Sequence, residues 1–249
     1  MPAPNLIAVV LAAGKGTRMK SDLPKVLVPV LGRPMIEYVL DTLRRAGVAQ
    51  TIAVIGYRAA DVRQTLGNQP KLTFVEQTEQ LGTGHAVMMA RQALASHPDA
   101  AVLVVAGDSP MARADSIQEL FAEYLRLRPA CLLGTARREN PHGLGRIVRD
   151  QAGNFTGIVE EKDATPEQRQ ITEVNMSCYL FHCADLLGAL DLLGNNNAQR
   201  EYYLTDVPGI LLGQGKSVQA LAVLKPSEAL SINTPEELLA VEAALREHE

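Results

Sequence analysis

Short apolar runs alternate with amphipathic stretches along most of the chain. Leu6–Ala12 is a continuous apolar run, the pattern of a strand covered on both faces. Pro34–Ala46 instead repeats its apolar positions at helical spacing: Met35, Ile36, Val39, Leu40 and Leu43 share one face, and Gly47 supplies the stop. The same reading predicts strands over Thr51–Ile55, Leu72–Val75, Ala101–Val105 and Cys131–Ala136. It predicts helices over Ala59–Leu66, Thr83–Ala95 and Ser116–Leu127, the last turning Ile117, Leu120, Phe121 and Tyr124 inward. Strand and helix in strict alternation imply an α/β fold, a doubly wound and mostly parallel sheet.

After about residue 140 the rhythm changes. Gly145–Arg149 and Phe155–Glu160 are strand-like and flank Asp150-Gln151-Ala152-Gly153-Asn154, a hairpin signal with Gly in the turn. Glu173–Phe181 reads as a strand, Tyr202–Gly213 as a helix despite Pro208, Val218–Val223 as a strand and Pro235–Arg246 as a closing helix. No repeat, low-complexity tract or linker interrupts the chain. The expected organisation is one domain over 1–249: a Rossmann-like part at 1–139, a smaller β-rich lobe inserted at about 140–230, and a closing segment at 231–249.

Composition narrows the picture. The chain has 249 residues, 47% hydrophobic but only 4% aromatic and without Trp, so the core is built from Val, Leu, Ile and Ala. A net charge of −4 with no Lys/Arg block argues against nucleic acid as a partner. Anionic ligands would then be met by a few placed cations and a metal rather than by a global field. Three cysteines without C-x-x-C spacing make neither a disulfide framework nor a zinc site, and the five His show no H-E-x-x-H spacing. Asn5–Ala13 loosely mimics a signal peptide, but no Lys or Arg precedes it and a polar glycine-rich loop follows, so a buried first strand is the better reading. No apolar run approaches the ~18 residues that span a bilayer. A cytoplasmic chain without a membrane partner is expected; the sequence does not speak to oligomeric state.

The chemistry gathers after the expected strands. Leu11-Ala12-Ala13-Gly14-Lys15-Gly16-Thr17-Arg18-Met19 follows the first one, where open α/β sheets bind ligands. Gly14 and Gly16 allow a tight turn that brings backbone N–H groups to phosphate oxygens, and Lys15, Arg18 and Lys25 add positive charge. Gly-x-Gly-x-x-Gly fails at Met19, and no Gly-Lys-Ser/Thr closes a Walker loop. After the third strand, Gln77 precedes Gln80-Leu81-Gly82-Thr83-Gly84-His85-Ala86. A primary amide donates and accepts at once and suits uracil's edge, although by itself Gln77 could equally be a surface amide. Gly82 permits close backbone approach, Thr83 is a plausible N-cap, and His85 reads as a structural helix residue. Ala106-Gly107-Asp108 ends another strand, placing a carboxylate where it could hold Mg²⁺ against phosphates.

L-A-A-G-K-G-T-R-M followed by S-D-L-P-K closely resembles the signature of the nucleoside-diphosphate-sugar pyrophosphorylases, and Q-L-G-T-G-H-A resembles the uracil-reading stretch of the bacterial N-acetylglucosamine-1-phosphate uridylyltransferases. The resemblance implies that Leu11, Ala12, Ala13 and Gly14 wrap a UTP triphosphate, that Arg18 holds the leaving pyrophosphate, and that Lys25 neutralises the reacting phosphates. It implies base contacts from Gln77, Gly82 and Thr83, further contacts from Ala106 and Gly107, and Mg²⁺ held by Asp108 with Asn233 of Ser231-Ile232-Asn233-Thr234. Gly143-Leu144-Gly145-Arg146 matches a family G-Y-G-R, Gly157–Ala164 matches G-I-V-E-x-K-D-A, and Asn195–Asp206 matches N-N-N-A-Q-x-E-Y-Y-x-T-D. These assign the sugar-1-phosphate to Gly145, Glu160, Asn175, Tyr203 and Thr205.

Two stretches depart from the pattern. Met176-Ser177 follow Asn175 where the family has Thr-Gly, and Ala229-Leu230-Ser231 lack the Gly that usually precedes the metal Asn. The resemblance implies UDP-N-acetylglucosamine and pyrophosphate as products; the rivals are another hexose-1-phosphate, a CTP- or GTP-using relative, or a catalytically silent sugar-nucleotide sensor. Longer relatives carry a C-terminal left-handed β-helix that transfers acetyl groups. No hexapeptide turns follow here, so UDP-sugar formation without acetylation is the expectation.

Overall fold

The computed structural model describes residues 4–19, 21–230 and 232–247. In chain order, β1 (Leu6–Ala12) leads to a small antiparallel pair, β2 (Pro29–Val30) with β3 (Arg33–Pro34). Then come α1 (Met35–Arg45), β4 (Gln50–Ile55), α2 (Ala59–Leu66), β5 (Leu72–Glu76), α3 (Thr83–Met89) and α4 (Arg91–Leu94). β6 (Ala101–Ala106), α5 (Ala114–Leu127) and β7 (Cys131–Arg137) complete the first part. β8 (Arg146–Arg149), β9 (Phe155–Val159), β10 (Glu173–His182), α6 (Cys183–Leu190), α7 (Val207–Gly213), β11 (Val218–Leu221) and α8 (Pro235–Arg246) follow.

The main sheet runs β11-β7-β10-β6-β1-β4-β5, with β10 alone antiparallel to its neighbours. The expected α/β class is what forms. Residues 140–230 do not make a separate sheet: β10 is threaded between β6 and β7, β11 adds an edge strand, and the β8–β9 hairpin branches from β10.

The apolar runs are continuous because both faces of each strand are covered. Along β1, Leu6, Ala8, Val10 and Ala12 pack into one layer with Val39, Leu43, Val62 and Leu120, while Ile7 and Val9 pack into the other with Val87, Leu94, Leu186 and Leu211. Each fully buried aliphatic chain is worth about 1.5–3 kcal/mol, so this two-sided core supplies most of the driving force. A third, smaller cluster joins Val28, Val30, Met35 and Met111 to Ile232 and Val241, seating α8 against the loop after β1.

Three expectations need adjustment, and one stretch without an assignment acquires one. The helix expected over Thr83–Ala95 breaks at Ala90, whose N–H bonds Val87 O at 3.0 Å in a tighter turn. The helix expected from Tyr202 begins at Val207, because Tyr202 is committed elsewhere: its N–H bonds Leu81 O at 2.8 Å, and its carbonyl accepts from Gly84 N at 2.7 Å. Pro208 sits in the first turn of α7, where a missing N–H costs nothing. Phe121 is only partly buried. Cys183–Leu190, unassigned from sequence, is helical, with Cys183, Leu186, Ala189 and Leu190 buried.

A buried ionic knot fixes the branch point. Glu173, 8% exposed, accepts from Arg149 Nη2 at 2.6 Å, Arg149 Nε at 2.8 Å and Thr135 Oγ1 at 2.7 Å, while Arg149 Nη2 also reaches Ala220 O at 2.8 Å. β8, β7, β10 and β11 are thereby lashed together two residues from Asn175. Burial alone would raise the Glu173 carboxyl; the Arg149 and Thr135 hydrogen bonds outweigh it and hold the group below its ordinary range. A depressed folded pKa gives stability that is present above the unfolded value, about 4.3, and is lost as pH falls through the folded one. Glu173→Ala should therefore cost about 3 kcal/mol at neutral pH by stranding Arg149, and denaturant titrations should show that penalty shrinking below about pH 4.

Candidate active site

The parallel register pairs Leu11 of β1 with Ala106 of β6, so the two strands end side by side. Gly107 lets the second strand turn there: its N–H bonds Leu11 O at 2.9 Å, and an added Cβ would stand 2.9 Å from that same oxygen. Asp108 thus emerges beside the loop Ala13–Met19. Gly16 adopts φ +68°, and a Cβ there would lie 2.7 Å from Lys25 Cβ, so only glycine lets the loop and the Pro24–Lys25 turn pass so closely.

Lys25 is the hub. Its ammonium contacts Asp108 Oδ2 and donates to Asn233 Oδ1 at 2.7 Å; Arg18 Nη2 donates to the same Asn233 oxygen at 2.9 Å. Asn233 is aimed by a capping box: Glu237 accepts from Asn233 N at 2.6 Å and Thr234 N at 3.2 Å, and Thr234 Oγ1 accepts from Glu237 N at 3.2 Å. The turn before it is held by buried Glu228, which accepts from Arg113 N at 3.0 Å, Ser116 Oγ at 2.7 Å and Lys225 N at 2.8 Å. Arg18, Lys25, Asp108 and Asn233, far apart in sequence, are therefore brought together in space. Lys15 is not in this group; its ammonium lies over the Tyr57 ring, 5.2 Å from the centroid.

A cleft of about 460 Å³ runs from this group to the second half of the chain, lined by Arg18, Ala106, Asp108, Leu144, Asn175 and Asn233 among others. At its far side Gly145 O accepts from Asn175 N at 2.8 Å, and a Cβ on Gly145 would sit 3.4 Å from Asn175 Cβ and 3.6 Å from Glu160 Oε2. Glu160 accepts from Thr205 Oγ1 at 3.1 Å, and Asn175 donates to Tyr179 Oη at 2.6 Å. Tyr203 is 8% exposed, and among the described residues its hydroxyl has no hydrogen-bond partner. A larger cleft of about 700 Å³ between α1, α5 and α8 holds none of these residues; its Arg33, Arg44 and Arg113 are already paired with Glu37, Asp41 and Asp115.

Gln77 lies at the end of β5, 3% exposed. Its Nε2 donates to Gly82 O at 3.0 Å and is 3.0 Å from His85 Nδ1. Gly82 has φ +111°, and a Cβ there would stand 2.6 Å from Tyr202 O. Gly82, not Thr83, occupies the cap of α3; the Thr83 hydroxyl instead accepts from Leu204 N at 3.1 Å, tying the start of α3 to the Tyr203–Thr205 segment.

The model of the MobA-like NTP transferase domain matches residues 8–190 of this chain. The chain belongs to that family. It is 41% identical over 242 residues to the bifunctional protein GlmU of Pelobacter propionicus, 44% over 239 to that of Streptococcus gordonii and 47% over 240 to that of Heliobacterium modesticaldum. Those alignments take in 96–97% of this chain but 51–52% of the relatives, so the chain spans about half the length of the curated relatives it matches. A solved UDP-glucose pyrophosphorylase complexed with UDP-glucose superposes with a TM-score of 0.79 over 98% of this chain and 100% of that one. At 14% identity the likeness shows the fold alone.

Within this NTP transferase fold the departures noted in the sequence have local consequences. Ser177 adopts φ +49° at an irregularity of β10 between Asn175 and Cys178, a left-handed position that glycine would fill at less cost. Met176 packs against the buried core. Ser231 lies outside the described residues. Sequence reasoning left His85 as a structural residue and did not single out Glu228; no local signal marks either, since their hydrogen bonds run to groups distant in the chain or across a turn.

The electrostatics of the far side are costly. Burial pushes the Glu160 carboxyl up from its ordinary value, the Thr205 hydrogen bond opposes this, and nearby Asp163 and Asp206 add repulsion. Burial, with the same carboxylates close by, also pushes the Tyr203 hydroxyl up to about 12. A raised carboxyl contributes stability that is complete below its unfolded pKa, about 4.3, and is lost as pH rises through the folded value. Glu160→Gln should accordingly melt above the unsubstituted protein at pH 7.5, by a few degrees, with the gap closing below about pH 4 in a pH-dependent thermal scan.

Proposed function

We propose that this chain transfers a uridylyl group from UTP to N-acetylglucosamine-1-phosphate, giving UDP-N-acetylglucosamine and pyrophosphate. The carrying observation is the convergence of two cationic side chains, Lys25 and Arg18, with the oxygens of Asp108 and Asn233 beside a cleft that Arg18, Asp108, Asn175 and Asn233 line. The relatives named as bifunctional GlmU proteins, and the fold shared with a UDP-glucose-bound pyrophosphorylase, support the same reading.

The donor set fits Mg²⁺. Asp108 and Asn233 offer hard oxygens that already converge on one cationic group, the Lys25 ammonium. Among the described residues no cluster of three or more His, Cys, Asp or Glu could hold a metal alone, so phosphate and water oxygens would complete the shell. When bound, the ion would neutralise phosphate charge.

The residues then divide the work. The backbone from Leu11 to Gly14 and Gly107 lies against the phosphates. Gln77 and Gly82 meet the uracil, with Thr83 tying that segment to the sugar side. Gly145, Glu160, Asn175, Tyr203 and Thr205 orient the sugar so that its phosphate oxygen faces the α-phosphorus. That oxygen forms the new P–O bond as the bond to the β-phosphate breaks, with Lys25 on the reacting phosphates and Arg18 on the departing pyrophosphate. Such a transfer asks for alignment and charge neutralisation and needs no covalent nucleophile.

A pyrophosphate-release assay across sugar-1-phosphates and nucleotides tests the reading. UTP with N-acetylglucosamine-1-phosphate should give the highest kcat/KM; equal turnover with CTP, GTP or another hexose-1-phosphate would replace it with the corresponding rival, and no turnover with any would favour the silent sensor. Asp108→Ala should lower kcat by roughly 10²–10³ while the fold is retained. Arg18→Ala should do the same and also weaken pyrophosphate in the reverse direction; unchanged pyrophosphate affinity would assign Arg18 to structure.

A further inference from the structure

The Gln77 amide is held in one orientation by two acceptors. Gly82 O can only accept, so the atom facing it at 3.0 Å is the nitrogen. The second N–H of that nitrogen has His85 Nδ1 at 3.0 Å, which receives it only if Nδ1 is the unprotonated nitrogen of the ring. The ring is held in turn, its centroid 6.2 Å from that of Tyr202. The backbone of Gln77 is equally constrained: its N–H bonds Ile55 O at 2.8 Å, and its carbonyl accepts from Gln80 Nε2 at 3.1 Å.

Both amide donors are therefore spent inside the protein. What remains is Oε1, an acceptor, which is not among the buried polar atoms lacking a partner. Uracil carries a proton on N3 and can donate to such an oxygen; cytosine carries a lone pair there and cannot.

We propose that His85 is a positioning residue for base selection, one that commits Gln77 to act as an acceptor and so sets the preference for uracil over cytosine. This rests on the uridylyl-transfer reading above and adds to it the group that orients the base-reading amide. A flipped amide would point Oε1 at two acceptors; without the imidazole it meets only one, and the side chain is also freer to swing away.

The experiment compares kcat/KM for UTP and CTP in the unsubstituted chain and in His85→Leu, His85→Asn and Gln77→Ala. Both nucleotides are measured on one preparation, so the folded fraction cancels from the ratio, and a thermal melt checks each variant. His85→Leu should lower the UTP/CTP ratio about tenfold, the effect of one hydrogen bond, through a higher KM for UTP with kcat changed less than about twofold. His85→Asn, whose Oδ1 can accept where Nδ1 did, should restore most of the ratio. If Gln77→Ala loses discrimination while His85→Leu keeps it, the positioning role is overturned and uracil reading by Gln77 stands. Loss in both His85→Leu and His85→Asn would mean that the ring acts by packing, which also overturns it. If Gln77→Ala itself leaves the ratio unchanged, the base-reading assignment is what has failed. Should His85→Leu not fold, equilibrium titration of His85→Ala and His85→Asn with UTP and CTP supplies the comparison, and an equal uracil preference in the two again overturns the proposal.

Discussion

One ammonium group holds three distant stretches of chain in place. Lys25 reaches Asp108, 83 residues on, and Asn233, 208 residues on, and Arg18 shares the second of these oxygens. A carboxylate and an amide oxygen facing one another would repel; a cation between them makes their convergence favourable. A flexible four-carbon stem lets such a cation turn to other anions, which the proposed role on the phosphates asks of it. The remaining geometry works to deliver these groups. The β1–β6 register brings the strand tips together, Gly16 and Gly107 allow backbone contact that a Cβ would forbid, and a capping box with buried Glu228 presents Asn233.

The strand-tip group and the group around Glu160 and Tyr203 are stabilised in opposite senses. At the strand tips, charges are paired. Around the other group, Glu160 and Asp206 are raised by burial and by repulsion from Asp163, and among the described residues the Tyr203 hydroxyl has no partner. Local cost of this kind persists only where the surrounding fold over-determines it. Here that support is identifiable: the Arg149–Glu173–Thr135 knot beneath β10, and the strap in which Tyr202 bonds Leu81 and Gly84 while Leu204 N bonds Thr83. Polar groups held against their preference are ready to gain from hydroxyls and amides on an incoming sugar, which is consistent with the proposed substrate.

In the proposed reaction the strap would join the nucleotide side to the sugar side. Gly82 turns at φ +111° beneath Tyr202, so the loop from Gln77 to Thr83 and the segment that carries Tyr203 and Thr205 are one packed unit. A change in either is felt in both, the physical basis for expecting base and sugar occupancy to influence one another.

Strand and helix identity was legible along most of the chain, because a run such as Leu6–Ala12 or a face such as Met35, Ile36, Val39, Leu40 and Leu43 records burial through local periodicity. The glycine-rich loop, the strand-tip Asp108 and the family motifs were legible for a similar reason: each is a short contiguous pattern. What the tertiary structure alone decided was partnership. No spacing rule marks that β10 threads between β6 and β7 in reverse, that Tyr202 lies outside the helix that follows it, that Glu228 supports the turn before Asn233, or that the Gln77 amide nitrogen meets His85. Periodicity reports which side of a residue is dry, a property of its neighbours in sequence. Hydrogen-bond partners are chosen by distance and direction in space, and those exist only after the sheet has closed its register and the layers have packed against it.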